Sequence, residues 1–284
     1  MRLSELGEFE LLEELERRGL VAGLDAEGAV LVDGRVVTQD TLVEGTHFRR
    51  EWTSWRDLGY KAAAVNLSDL AAMGAAPEAL LVALAAPSDE EADHVFELYE
   101  GLNETGVSVL GGDTTRAVSV SVTVTAVGRS ERVPGRAGAR PGDVLVVTGP
   151  LGGAAAGLHA LRDGLDGFDD LVGLHRRPPL RLAEGKELAR VAHAMVDISD
   201  GIGADAARIA ERSGCLLRLA GDDLPIAAGV ERVADLPFWT MGDDYELLAA
   251  LAPEDAARSG LSVVGECREG AGVAPADLGG WQAF

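Results

Sequence analysis

Hydrophobic positions repeat along the chain with two periods, near 3.6 and near 2, and these divide it into short elements. Ser4 is placed as an N-cap, and Leu6, Phe9, Leu12 and Leu15 follow at helical spacing until Gly19 stops the run. Residues 29–33 and 35–43 read as two strands joined at Asp33-Gly34, a hairpin signal. Ser54 caps a long helical pattern running to about Met73. Residues 78–87 read as a buried strand, and Ser88 is placed to cap a helix through Asn103. Two β-rich runs, 107–110 and 118–127, flank Gly111-Gly112-Asp113-Thr114-Thr115-Arg116, which the pattern predicts to be a tight turn.

Residues 128–142 are rich in Gly, Arg and Pro, and this shift marks a boundary between an N-terminal domain, 1–130, and a C-terminal domain, 131–284. Beyond it strands (143–149, 195–197, 247–251) alternate with helices opening at Gly153, over 178–190 and over 202–212. The expected class is α/β (α+β) in two domains.

Composition narrows the function classes. With 284 residues, 47% hydrophobic and 25% charged, the chain has length and apolar content for a packed core. The net charge of −22 argues against a nucleic-acid surface, whose footprint is basic. No apolar run is long enough to cross a bilayer, and the first twenty residues form an acidic amphipathic segment unlike a signal peptide. Cys215 and Cys267 lack metal-site or redox spacing, so the expectation is a reduced, cytoplasmic protein without a disulfide framework. Only Lys61 and Lys186 are lysines.

The candidate chemistry lies in carboxylates beside glycines and hydroxyls. In 111–116 two glycines allow close backbone approach to a ligand, Asp113 suits a hard cation, and Arg116 adds a positive charge. Asn66 and Asp69 share one face of an alanine-rich helix, and Asp197-Ile198-Ser199-Asp200-Gly201 places two acids and a hydroxyl where a strand runs into a helix. A helix N-cap accounts for one of those acids and not for both. The glycine-rich 149–153 stretch is either an anion site at a helix N-terminus or a close-packing device. Asp40, Asp69, Asp113, Asp197 and Asp200, with no zinc spacing and no catalytic Cys, form a set suited to Mg²⁺ and its phosphate ligands. No GxxxxGK[ST] loop is present, so a nucleotide would be held by metals, backbone amides and arginine.

Five stretches in order resemble one family: DTLVEGTHF at 40–48, KAAAVNLSDLAAMG at 61–74, GGDTTR at 111–116, DISDG at 197–201 and GDDYELL at 242–248. They resemble thiamine-monophosphate kinase, within the PurM-like superfamily. The resemblance implies ATP-dependent phosphorylation of thiamine monophosphate to thiamine diphosphate by direct in-line transfer. It implies a homodimer whose N-terminal domains pair their mixed sheets into a shared barrel, beside a C-terminal α/β domain. By position it implies Mg²⁺ ligands at Asp40, Asp69, Asp113, Asp197 and Asp200, of which Asp113, Asp197 and Asp200 are placed closest to catalysis. It implies ATP contacts from Tyr99, Gly112, Asp113, Arg136 and Ser199, and contacts to the thiamine side from His47, Asp243 and Trp281.

The departures fall on one metal and on substrate contacts. The family's Gly-Ile-Gly-Asp-Asp-Ala-Ala-Val is Gly23-Leu-Asp-Ala-Glu-Gly-Ala-Val30 here, so the position of the family's metal-binding Asp falls on Ala26, flanked by Asp25 and Glu27. Asp25 or Glu27 is the expected substitute ligand. Gln39 stands for a family Thr, beside Thr38, and Asp243 for a family Glu. The alternatives are another ATP-using enzyme of the superfamily with a changed substrate, or a nucleotide-binding dimer without catalysis.

Overall fold

The computed structural model describes residues 8–21, 26–275 and 280. Among them, in chain order, lie α1 (Glu8–Arg17), β1 (Ala29–Val30), β2 (Arg35–Val43), α2 (Trp55–Ala72), β3 (Ala76–Ala86), α3 (Ala92–Asn103), β4 (Val109–Arg116) and β5 (Ser121–Arg129). There follow β6 (Val144–Val147), α4 (Gly153–Asp163), α5 (Asp169–Arg176), α6 (Leu182–Leu188), β7 (Ala194–Asp197), α7 (Ile202–Ser213), β8 (Leu216–Leu219), α8 (Val230–Val233), β9 (Leu247–Leu251), α9 (Pro253–Ser259), β10 (Ser262–Arg268) and β11 (Gly272–Ala274). The mixed α/β class expected from the pattern is the class observed.

The first five strands form one sheet in the order β1-β2-β5-β3-β4, and the remaining six form a second in the order β11-β8-β10-β6-β9-β7. Only β3 and β4 are parallel in the first sheet. Alternate residues of β3 and β5 (Leu80, Val82, Leu84; Val122, Val124, Ala126) are buried, and they join Leu58, Ala62, Leu67 and Leu70 of α2 in one core. The end of α2 also packs on the second sheet's layer, where Ala71 and Ala72 meet Leu188, Ala189 and Met195. A helix covered on both sides needs small residues nearly all round, which accounts for its run of alanines. Its start is fixed by Ser54, whose hydroxyl accepts from the Asp57 N–H at 3.1 Å.

Several predicted elements change. β1 has 2 residues, because Asp33 (φ 64°) and Gly34 (φ 71°) turn the chain early. Residues 111–116 are not a turn: they are most of β4, an edge strand in register with β3 from Leu81↔Gly111 to Ala86↔Arg116. Backbone pairing outweighs the poor strand propensity of Gly-Gly-Asp-Thr-Thr. Gly112 lies so close to Val82 that any side chain there would overlap its backbone. α3 begins at Ala92 and not at Ser88, with Glu91 as a cap residue that makes no side-chain bond. α6 is shorter than the predicted 178–190, since Pro178 and Pro179 hold its approach extended. α5 was not anticipated. Cys215 and Cys267, well separated in sequence, are buried free thiols with sulfurs 2.8 Å apart.

Candidate functional site

A cavity of about 1270 Å³ opens between β2, α2 and two loops of the second half, 197–201 and 241–246. The loops are zipped together by backbone bonds: Asp243 N–H donates to Ser199 O (2.7 Å), Tyr245 N–H to Ile198 O (2.9 Å) and Ile198 N–H to Glu246 O (2.8 Å). Gly242 (φ 81°) is required at this crossing, since a Cβ there would overlap the Ser199 carbonyl. Two stretches read separately in the sequence thus form one wall.

One end of the cavity is acidic. Glu27, Asp69 and Asp197 each offer a carboxylate oxygen, and these oxygens lie within 4.8 Å of one another. Three segments deliver them: the approach to β1, the α2 face toward β2, and the end of β7. Asp40 reaches the same region from β2, its N–H donating to Asn66 Oδ1 at 3.0 Å, so Asn66 ties strand to helix. Thr38, two residues before Asp40 and on the same strand face, donates its hydroxyl to Asp69 Oδ2. Gln39 points to the opposite face and accepts from Thr125 at 2.8 Å, so Thr38 is the hydroxyl at the acids. Ser68 Oγ donates to Asp197 Oδ2 at 2.7 Å.

The acids strain against one another. Burial raises Asp197 to about 8, with Glu27's charge adding to it and the Ser68 bond opposing. Burial and Glu27 likewise raise Asp40 to about 6. Asp69 is pushed well above the carboxylate range by burial, then by Asp40, Asp197 and Glu27. Cations already stand at the margin: Arg136 makes a bidentate pair with Glu27, and Arg208 of α7 pairs with Asp200 and lies 3.4 Å from buried Asp205. The donor set is hard oxygen throughout, which fits Mg²⁺. Ala26 packs against the core of the first sheet, whereas Glu27 joins the acids. Of the two expected substitutes, Glu27 is the one seen among the acids; Asp25 lies outside the described residues.

The other end carries the opposite arrangement. Asp243 Oδ2 accepts from Lys61 Nζ at 2.5 Å and stands 3.2 Å from His175 Nδ1. Burial alone would raise Asp243, but Lys61 and His175 outweigh it and hold the carboxyl well below its usual range. His47 lines this end, and its Nδ1 accepts from the Val43 N–H at 3.0 Å, which leaves the proton of the neutral ring on Nε2. Burial lowers His47, so the neutral ring is favoured near pH 7. Lys61 and His175 had no role in the sequence reading; the visible signal was one of only two lysines in a chain whose other cations are arginines.

Not every predicted site residue joins this cavity. Asp40, Asp69, Asp197, Ser199, Asp200, His47, Arg136 and Asp243 line it. Tyr99, Gly112 and Asp113 line a separate cavity of about 510 Å³ beside β4. The register explains the split: Asp40 pairs with Val124, Val124 with Val82 and Val82 with Gly112, so about 14 Å of sheet separates β2 from β4. Asp113 pairs with Ala83, and hence projects on the sheet face opposite to Asp40. Trp281 lies outside the described residues. The helix N-terminus at 149–153 is filled from within: both carboxylate oxygens of buried Asp244 accept from Gly152 N–H at 2.9 Å.

Comparison with known proteins bears on this geometry. The family described as AIR synthase related protein, N-terminal domain, matches residues 25–130, and its C-terminal domain counterpart matches 140–273. The thiamine-monophosphate kinase of Methanopyrus kandleri is 37% identical over 262 residues, covering 88% of this chain and 84% of that one. Among solved structures, AaThiL complexed with AMPPCP and TMP superposes with a TM-score of 0.93 at 32% identity, covering 100% of this chain and 99% of that one. Thiamine monophosphate kinase from Aquifex aeolicus gives a TM-score of 0.88 at 33% identity, with 96% and 97% covered.

Proposed function

We propose, for a chain that belongs to the thiamine-monophosphate kinase family of AIR synthase related proteins, that the cavity transfers a phosphoryl group from ATP to thiamine monophosphate, giving thiamine diphosphate and ADP. It is a phosphotransferase with a phosphate as acceptor. The observation that carries this reading is the polarity of the cavity along α2. Lys61, Val65 and Asp69 line it at i, i+4 and i+8, so the Asp243 end and the acid end lie about 12 Å apart on one helical face. An acceptor with a phosphate at one end and an organic head at the other suits such a slot.

Glu27, Asp40, Asp69, Asp197 and Asp200 are the residues that would hold Mg²⁺, which when bound supplies positive charge to the phosphate oxygens of both substrates. Phosphoryl transfer asks the protein for alignment and charge compensation more than for covalent chemistry. Arg136 lies on the acid side to meet phosphate, Ser199 lines the same wall, and His47 and Asp243 bind the head of the acceptor. Trp281 is assigned to the thiamine ring as well.

Asp113, Gly112 and Tyr99 enter this scheme through a homodimer. Leu81, Leu110 and Val118 are exposed on or beside the outer face of the first sheet, where a second copy pairing sheet to sheet would cover them. In that pairing Asp113 of one copy serves the cavity of the other, which accounts for its separation from Asp40 within a chain. The described residues form no helix long and apolar enough to cross a membrane, and we place the enzyme in the reduced cytoplasm with its two thiols free.

The test is incubation of purified protein with ATP, Mg²⁺ and thiamine monophosphate, with both products quantified. Thiamine diphosphate and ADP should appear in equal amounts. ADP without thiamine diphosphate, or neither product, overturns the assignment.

A further inference from the structure

Lys61 is 3% exposed and His175 4% exposed, and both address one oxygen, Oδ2, of Asp243. They arrive from separate parts of the chain: Lys61 from α2, beneath the first sheet, and His175 from the last turn of α5. The backbone of Asp243 is fixed separately, by its N–H on Ser199 O, in the left-handed region (φ 67°). A buried lysine bonded to this carboxylate, a histidine nitrogen 3.2 Å from the same oxygen and a fixed backbone together exceed what a packing role needs. A buried lysine is costly unless paired, and an apolar side chain of similar length would fill the same space. The chain spends one of its two lysines here. Asp243 nevertheless keeps 31% of its side chain exposed, toward the cavity that it lines with Lys61 and His175.

We propose that Lys61, supported by His175, is a positioning residue for the phosphate acceptor: it holds the Asp243 carboxylate as an anion in one orientation, so that the face left open to the cavity accepts N–H donors from the acceptor's organic head. The inference rests on the assignment of thiamine monophosphate as acceptor, whose aminopyrimidine carries such donors. Lys61 acts through Asp243 and touches neither phosphate. Its loss therefore weakens acceptor binding and leaves nucleotide binding intact. A neutral or misdirected side chain at 243 loses the same discrimination.

The experiment is a double-mutant cycle read by calorimetry and kinetics. Lys61→Met, Asp243→Asn and the double variant are titrated separately with thiamine monophosphate and with AMPPCP, and their melting temperatures are recorded. The double variant buries no unpaired charge, so it reports even if Lys61→Met alone fails to fold. Lys61→Met should weaken thiamine monophosphate binding, and raise its KM, by roughly 10- to 100-fold, with AMPPCP affinity within about 2-fold of wild type. The double variant should bind no worse than the weaker single variant. Unchanged acceptor binding in Lys61→Met, or equal losses for both ligands, overturns the inference while leaving the kinase assignment intact, as does a double variant that keeps wild-type affinity. Failure of the wild type to bind thiamine monophosphate overturns both.

Discussion

The two ends of the cavity hold carboxylates in opposite electrostatic states. At one end Glu27, Asp69 and Asp197 crowd within 4.8 Å, and burial and mutual repulsion drive Asp69 and Asp197 far above the carboxylate range. At the other end Asp243 keeps part of its side chain open to the cavity, and Lys61 and His175 hold it well below that range. The difference is where the compensating charge comes from. Asp243 has its cation built into the chain, on a helix that cannot move without disturbing two cores. The acid end has arginines at its rim but more negative charge than they offset. A site that must accept and release a charged ligand is built in the second way, and one that must present a fixed anion in the first.

The largest expected effect comes from removing the centre of the acid end. Asp69→Asn should lower kcat by roughly 10³-fold with the fold retained, because Asp69 sits among Glu27, Asp40 and Asp197 at the centre of the acidic group. Asp113→Asn should be similarly impaired, and mixing the two inactive variants under exchange conditions should restore about a quarter of wild-type activity, since half of random dimers are mixed and one site in each mixed dimer is intact. No recovery on mixing would place Asp113 and Asp69 in the same chain's site, or in no common site.

A smaller effect separates the ends by pH. Asp40 and Asp197 keep protons in the folded state up to about 6 and about 8, whereas an unfolded chain releases them near 4. The folded state thus binds more protons between those values, and stability without metal falls as pH rises from about 4 to about 8. Asp243 is shifted the other way, so its contribution is present throughout that window and is lost only in stronger acid. The melting temperature without metal should drop by roughly 5 °C between pH 5 and pH 8. Asp197→Asn should flatten that slope, and Asp243→Asn should lower both values alike. A wild-type profile that rises over this range would reverse the assignment of the two ends.

The smallest effect is expected at Ala26. Because Glu27 already faces the acids while Ala26 packs on the core, Ala26→Asp should change turnover by less than about 3-fold. A tenfold rise would show Glu27 to be an incomplete substitute.

Much of this was legible in residues whose meaning is local. The Ser54 cap and the following alanine-rich pattern located α2, and the paired acids of 197–201 identified a strand end that does line the cavity. What was not legible depended on partners far away in sequence. Residues 111–116 read as a turn because two glycines and an aspartate carry no strand signal; only the β3 edge makes them a strand. α5 was missed because its 8 residues offer little periodicity, although Asp169 and Asp170 in its first turn and His175 and Arg176 in its last suit the helix dipole. Lys61 looked like one more residue on a helix face until the 241–246 loop, 182 positions later for Asp243, folded onto it.

The claim that the acid end is completed by a divalent cation, and the Asp243 end is not, is tested most directly by Mn²⁺ titration followed by electron paramagnetic resonance. Wild type, Glu27→Gln and Asp243→Asn would be compared in the presence of AMPPCP. The account predicts Mn²⁺ binding in wild type and Asp243→Asn alike, and binding weaker by roughly 10-fold or more in Glu27→Gln. Equal affinity in all three proteins, or no binding in wild type, would contradict it.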